Sequence, residues 1–152
     1  MKAQSLFTIL ALLLLVLACG NNTEALKEQE NNLANEVMDI HDEVMPKIAE
    51  INRLSRTLQD YYEANKETIS DELDGQIELM QRELEKADDG MMGWMANYQQ
   101  PTALRETKTH EEIMTYLQEQ KKEVSEVAEQ INSSLAEAKK LVESLPETAE
   151  KE

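Results

Sequence analysis

The sequence predicts an all-α protein, an antiparallel three-helix bundle of long, coiled-coil-like helices. Of its 152 residues, 30% are charged and only 4% are aromatic, and it has four glycines and three prolines. Sheet sandwiches, glycine-rich nucleotide folds and disulfide scaffolds have different compositions. Apolar residues also recur at steps of three and four, as on one face of a helix. The formal charge of −16, if evenly spread, would repel polyphosphate, so we exclude DNA and RNA as partners.

The N-terminus has the features of an export signal. Lys2 supplies a positive charge, and residues 6–18 form an apolar run that is too short for the roughly 20 residues that span a bilayer. The segment Val16–Gly20 resembles the lipobox of bacterial lipoproteins, which has an aliphatic residue three before the cysteine and a small residue immediately before it. This resemblance implies that residues 1–18 are cleaved as a signal peptide and that Cys19 is lipidated. The alternatives are a secreted protein with a free thiol and an uncleaved anchor.

Lipidation would place the mature chain in the cell envelope, facing the periplasm or the outside. Several acyl chains, at about 0.8 kcal/mol per buried methylene, would attach the protein to a membrane permanently. Gly20 follows the cysteine, instead of the Asp that retains some lipoproteins at the inner membrane, so we expect the outer membrane. Residues 19–23 would be the lipidated cysteine and a polar tether. Because Cys19 is the only cysteine, no internal disulfide can form.

Three stripes of apolar residues predict three helices, at about residues 24–65, 71–98 and 109–145. Pro46 interrupts the first stripe, and Met45 would be a poor N-cap for a new helix, so we expect a kink rather than a break. In the second helix the steps alternate between four and three, and we expect it to continue through Gly90 and Gly93. Short connections favour antiparallel neighbours.

The ends of the predicted helices carry local signals. Ser70 or Asp71 would cap the second helix, and the third opens with a T-x-x-E capping box at Thr109–Glu112. We expect a loop over residues 99–108 and a disordered tail at residues 146–152.

Both histidines and six of the eight methionines are concentrated in a few short stretches of the chain. These residues are Met38, His41, Met45, Met91, Met92, Met95, His110 and Met114. If the first two helices fold back on each other at the turn between them, residues that face each other have numbers that sum to about 136. If the second and third helices fold back at the loop over residues 99–108, the corresponding sum is about 208. His41 is then level with Met95, and Met95 with Ile113. The stretches would therefore meet at the end of the bundle nearest Cys19.

Thioether sulfur and imidazole nitrogen are soft ligands, which suit Cu(I) or Ag(I) and suit Ca²⁺ or Mg²⁺ poorly. At about 100° per residue, His41, Met91 and Met95 point into the core, and Met45 lies at its edge. The predicted metal ligands are His41, Met45, Met91 and Met95, with Met38, Met92, His110 and Met114 in reserve. This set is similar to the His, Met and Trp sites of periplasmic copper carriers.

Two neighbours bear on this predicted metal site. Trp94 would add a cation-π contact to a bound ion. Asp42 is an acceptor for an imidazole N–H, but the same helical geometry turns Asp42 away from His41.

Other interpretations fit the same residues. Methionine is a flexible core filler that packs well around an aromatic ring, so the cluster can be purely structural. The bundle can instead be an adaptor that holds an envelope partner through its helix faces, or it can form a homo-oligomer. A metal site requires converging sulfurs, whereas an adhesive surface would expose Met92 and Met114 as a patch. The sequence has no nucleophile motif, no H-E-x-x-H and no glycine-rich phosphate loop, so we do not expect an enzyme.

Two segments carry a resemblance to known proteins. H-D-E-V-M-P-K-I, from His41 to Ile48, and M-M-G-W-M, from Met91 to Met95, resemble a group of small bacterial lipoproteins labelled "viral A-type inclusion protein". The resemblance covers most of the mature chain. It implies a helical lipoprotein and no particular activity, because the label follows coiled-coil similarity.

Overall fold

The computed structural model describes the backbone of residues 2–146 and the side chains of residues 23–146. Every regular element in this part of the chain is helical and none is a strand, which confirms the all-α class. The α-helices are α1 (Lys2–Val44), α2 (Ile48–Asn65), α3 (Asp71–Asn97), α4 (Pro101–Leu104) and α5 (His110–Ser144). None of the helices in the described part has both the length and the apolar character needed to span a bilayer.

Three predictions concern the ends of the chain. α1 includes residues 19–23, in which the sequence analysis places the tether. The side chains of the signal segment and of Cys19 lie outside the described side chains, and residues 147–152 of the predicted tail lie outside the described residues. Lipidation, signal cleavage and the disordered tail therefore stay predictions.

A single 3-10 turn, Met45–Lys47, separates α1 from α2. Pro46 lies in this turn, and α-helical hydrogen bonding stops there because a proline nitrogen has no hydrogen to donate to the preceding turn. Val44 before the turn and Ile48 after it both keep helical dihedral angles, and both side chains are buried. The chain therefore passes directly from α1 into α2.

The limits of α3 follow local signals. Ser70 is the N-cap, since its Oγ accepts a hydrogen bond from the Leu73 backbone N–H at 3.3 Å. The first turn is acidic, which suits the positive end of the helix dipole. α3 continues through Gly90 and Gly93 as predicted, and it ends because Tyr98 takes an extended backbone conformation.

The connection between α3 and α5 differs in part from the expected loop. Residues 99–108 contain α4, which begins with Pro101, a residue whose missing N–H and fixed φ suit a first helical position. Pro101 and Leu104 are both buried. α5 then opens with the predicted capping box: Thr109 N–H donates to Glu112 Oε2 at 2.8 Å, and Glu112 N–H donates to Thr109 Oγ1 at 3.4 Å. The bonds from the Thr109 backbone and side chain lower the pKa of Glu112.

The chain divides into two compact units. The first unit consists of residues 1–36 and 99–118, and the second unit consists of residues 37–98 and 119–152. The buried apolar residues described in the first unit are Ala34, Pro101, Leu104, Ile113 and Leu117. The second unit has the larger core, and its largest fully buried side chains are Val37, Val44, Ile51, Leu54, Leu58, Ile77, Leu84, Met91, Val124 and Ile131. These residues lie on the apolar stripes that predict the helices.

Polar contacts also join helices within the second unit. They link Gln81 to Gln59 at 2.8 Å, Lys47 to Asn132 at 2.8 Å, and Lys139 to Glu50 at 3.1 Å. These contacts are exposed or partly exposed, and such pairs contribute little to stability. Their value here is that they identify which residues of neighbouring helices lie at the same level.

Candidate metal centre

The centre of the candidate site is a contact between the last turn of α1 and the last turn of α3. His41 Nε2 lies 3.1 Å from Met95 Sδ. The His41 side chain is only 13% exposed, and Met95 is half-buried against the core of the second unit. The two residues that folding about the first turn predicts to be level are therefore in direct contact.

The second nitrogen of the same ring is held by Asp42. Asp42 Oδ1 lies 2.8 Å from His41 Nδ1, although the Asp42 side chain is largely exposed. The expectation that Asp42 points away from His41 is wrong, because the direction of Cβ does not fix the position of the carboxylate. Rotation about two side-chain bonds brings the carboxylate of Asp42 back to the neighbouring ring.

These two contacts constrain the protons of His41. A carboxylate only accepts hydrogen bonds, so Nδ1 carries the proton that is donated to Asp42. In a neutral ring Nε2 then presents a lone pair, and the Met95 thioether sulfur also presents only lone pairs. Two acceptors 3.1 Å apart repel each other unless a proton or a metal cation is bound at Nε2. The contact therefore requires either a proton on Nε2, which is donated to the sulfur, or a metal cation bound at Nε2.

Aromatic rings cover one side of this contact. The Trp94 ring lies 5.7 Å from the His41 ring between centroids, with 34° between the ring planes. The Tyr98 ring stacks on Trp94 at 5.0 Å. Trp94 is only 7% exposed, and its indole N–H has no hydrogen-bond partner among the described residues. A buried π system is thus placed close to the imidazole.

The other predicted ligands of the second unit differ in how exposed their side chains are to solvent. Met91 is fully buried, Met38 and Met45 are half-buried against the same core, and Met92 is 38% exposed. Met91 precedes Met95 by one helical turn, so these two thioethers are neighbours on α3. Four of the predicted sulfur ligands, counting Met95, are therefore buried or half-buried around one core, and Met92 lies at the surface.

His110 and Met114, two of the reserve ligands, belong to the first unit. Met114 is half-buried. His110 Nδ1 lies 2.9 Å from Glu30 Oε1, so this imidazole already has a strong partner. Of the two histidines in the sequence, only His41 faces a sulfur ligand.

Within the second unit, the register of α5 against α3 differs from the expected one. A groove in the second unit is lined by residues of α3 and α5, namely Gly93, Trp94, Asn97, Glu123, Glu126, Val127 and Gln130. Facing residues of these helices therefore have numbers that sum to about 220, rather than the expected sum of about 208. The second unit contains α5 only from residue 119 onward, because residues 99–118 belong to the first unit.

A buried ionic cluster around Glu30 was missed by the sequence analysis. Glu30 is only 3% exposed, and its carboxylate accepts hydrogen bonds from His110 and from Arg105 Nε, the latter at 2.5 Å. Arg105 Nη2 also donates to Asn31 Oδ1 at 2.8 Å. Burial raises the pKa of Glu30, but the hydrogen bonds from His110 and Arg105 outweigh it and hold the pKa below its usual value.

One sequence signal identifies this cluster in retrospect. The apolar stripe of α1 passes through Leu26, Leu33 and Val37, and Glu30 occupies the seam position between the first two. An acid on an apolar seam predicts a buried partner of opposite charge.

Within the described residues, no group of three or more His, Cys, Asp and Glu side chains is close enough together to hold a metal ion. The ligand atom in contact with His41 Nε2 is the thioether sulfur of Met95. Comparison with known proteins gives no match to this chain among protein-family models, curated proteins or solved structures. Function is therefore inferred from the side chains themselves.

Removing Arg105 should destabilise the protein, because it leaves the Glu30 carboxylate buried without its main counter-charge. We expect Arg105→Ala to lower the free energy of unfolding at pH 7 by about 3–5 kcal/mol, measured by urea denaturation. The control is Arg82→Ala, which removes an exposed ion pair with Glu78 and should change stability little. Equal effects of the two substitutions would contradict a structural role for the cluster.

The same cluster should make stability depend on pH. Because the pKa of Glu30 is lowered in the folded protein, its contribution is fully present above the unfolded value of 4.5 and is lost as the pH falls through the lowered pKa. The stability difference between wild type and Glu30→Gln should therefore shrink on acidification. A difference that stays constant from pH 7 to pH 3 would contradict this assignment.

Proposed function

We propose that this chain is a lipid-anchored bacterial envelope protein, held in the outer membrane through Cys19, that binds Cu(I) or Ag(I). His41 and Met95 are the central ligands, and Met91 and Met45 supply the further sulfurs. The observation that carries the proposal is the 3.1 Å contact between His41 Nε2 and Met95 Sδ, with Asp42 on the other ring nitrogen. The activity is binding or buffering of the ion, without catalysis.

The distance between the two central atoms suits a shared ion after a small adjustment. With bond lengths of about 2.0 Å to nitrogen and 2.3 Å to sulfur, taken from zinc sites, a tetrahedral ion holds these atoms about 3.5 Å apart. The His41–Met95 pair at 3.1 Å therefore needs to open by about 0.4 Å. Both side chains have rotatable bonds that allow a movement of this size.

The chemistry of the donors favours a soft monovalent ion. Imidazole and thioether ligands are neutral, so gathering them in a half-buried site does not require like charges to approach each other. Hard cations such as Ca²⁺ and Mg²⁺ prefer oxygen ligands, which this cluster does not place beside Met95. In an exported protein, methionine would serve where a cytosolic protein uses cysteine.

Asp42 and Trp94 would support the ion without coordinating it. Asp42 holds the proton on Nδ1, which leaves Nε2 as the donor atom on the side of Met95. Trp94, with its ring 5.7 Å from the imidazole ring, would add a cation-π contact of about 0.5–2 kcal/mol.

The arrangement of helices that we propose is an antiparallel three-helix bundle whose first helix is kinked at Pro46. Residue numbers run in opposite directions between the pairs His41–Met95 and Gln59–Gln81, which supports antiparallel packing. They run in the same direction between Lys47–Asn132 and Glu50–Lys139, which supports an up, down, up order. The 3-10 turn at Met45–Lys47 supports the kink.

The exposure of apolar residues favours the metal site over an adhesive helix face. Leu79 and Met92 are the large apolar residues exposed on the described surface, at 52% and 38%. At about 100° per residue they point in directions about 140° apart around α3, so they do not form one patch. Met114, which an adhesive surface would expose, is half-buried.

Metal binding is tested by titrating the full chain, in detergent, with Ag(I) in chloride-free buffer. A Cys19→Ser background removes the thiol, and fluorescence of Trp94, the only tryptophan, reports binding. We expect one ion per chain. His41→Ala and Met95→Leu should each weaken affinity by about 100-fold, and Asp42→Asn by about tenfold, because supporting groups typically contribute a factor of 10–100.

Two variants control for general damage to the protein. His110→Ala and Met114→Leu alter the same residue types in the first unit, and we expect neither to change the affinity for Ag(I). Affinity that survives His41→Ala, or that falls equally in Met114→Leu, would contradict the proposed site. A parallel Cu(I) titration against a competing chelator should give the same order of variants.

The membrane anchor is tested by substituting Cys19 in bacterial cells. We expect Cys19→Ser to block acylation, followed by incorporation of labelled palmitate, and to shift the protein out of the outer-membrane fraction. Gly20→Asp is the matched variant, because it keeps the cysteine and should move the lipidated protein to the inner membrane. Palmitate labelling that persists in Cys19→Ser would refute lipidation at this residue.

A further inference from the structure

The sulfurs of the second unit form a series from the surface to the core. Met92 is 38% exposed, Met45 and Met95 are half-buried, and Met91 is fully buried. Met92 and Met95 are three residues apart on α3, so their side chains are neighbours on the helix surface. One exposed thioether therefore lies beside the central ligand pair.

The level of Met92 follows from the central contact. Because His41 touches Met95, an antiparallel register places Met92 level with Met45, one helical turn away from the central pair. Met45 lies in the 3-10 turn of Pro46, at the end of α1. A second pair of thioethers, one from each helix, is thus adjacent to the first pair.

The direction of these side chains agrees with their exposure. At about 100° per residue, Met92 is rotated about 60° from Met95 around α3, and Met45 is rotated about 40° from His41 around α1, in the same sense. When two antiparallel helices are in contact, side chains that are rotated in the same sense away from the contacting residues lie on the same side of the interface. Met91 is rotated the opposite way, into the core. Met92 and Met45 therefore form the outer side of the site.

We infer that Met92 and Met45 are an outer thioether pair that receives a soft ion at the surface and passes it to His41 and Met95. This inference depends on the proposed function of the central pair. Transfer proceeds by ligand exchange. The bond between the ion and a neutral sulfur of the outer pair breaks, bonds to Met95 and to His41 Nε2 form, and the charge of the ion is unchanged. Met92 would set the rate of loading and then leave the ion, whereas Met45 would stay bound to the ion together with the inner pair.

The inference predicts a specific kinetic effect of Met92→Leu, which keeps the size of the side chain and removes the sulfur. Stopped-flow mixing of the full chain, in the Cys19→Ser background, with Ag(I) should show a rate constant of association lowered about tenfold. Since Met92 acts on the path and not on the bound state, dissociation should slow by the same factor and Kd should stay within about threefold. Met45→Leu should slow association as well, and it should also raise Kd, because Met45 is a ligand of the bound ion in the proposed site.

Matched variants separate this inference from the proposed function. Met95→Leu should raise Kd about 100-fold, and Met114→Leu should leave both rate constants unchanged. An unchanged association rate in Met92→Leu would overturn the outer pair while the central site stands. A loss of affinity as large as that of Met95→Leu would also overturn it, because Met92 would then be a resident ligand. If wild type binds no Ag(I), both the central site and the outer pair are refuted.

Discussion

The contact between His41 and Met95 is imposed by the apolar seam of the second unit. His41 lies between Val37 and Val44, at steps of four and three residues, and both valines are fully buried. Met95 follows the fully buried Met91 by one turn. Burying each large apolar side chain contributes about 1.5–3 kcal/mol, and several such residues outweigh the cost of about 1–3 kcal/mol for one poorly paired polar atom. The seam therefore holds an imidazole nitrogen against a sulfur that cannot donate a hydrogen bond to it.

The two histidines show how differently one residue type is used in this chain. His110 donates to Glu30, a carboxylate that Arg105 also pairs, so its polar groups belong to a complete ionic cluster. His41 has a carboxylate on one ring nitrogen and a thioether on the other. Complete pairing stabilises a fold, whereas a ring nitrogen held against a thioether, a weak acceptor, lies where a metal cation can replace its proton. This difference, rather than the number of methionines, is what identifies His41 as the candidate ligand.

Much of the fold is predictable from the sequence because it depends on local rules. Periodicity places the helices, Ser70 and the Thr109 capping box begin two of them, and Pro46 interrupts α-helical bonding at the expected place. The level of His41 with Met95 also follows, since the turn between their helices is short. These features depend on residues close in sequence or on one simple hairpin.

The features that were not predicted depend on longer connections and on side-chain rotation. The register of α5 against α3 in the second unit is shifted because the start of α5 belongs to the first unit. The pairing of Glu30 with Arg105 joins residues 75 positions apart, and helix periodicity gives no partner for it. The Asp42 carboxylate reaches His41 through rotations that a helical wheel does not represent.

X-ray absorption spectroscopy of the full chain in the Cys19→Ser background, loaded with one equivalent of Cu(I), tests the central claim most directly. The account predicts one nitrogen ligand at about 2.0 Å and two or three sulfur ligands at about 2.3 Å, distances taken from zinc sites. Loss of one sulfur in Met95→Leu, and of the nitrogen in His41→Ala, would identify these residues as ligands. A spectrum with only nitrogen and oxygen neighbours, or one unchanged by both substitutions, would contradict it.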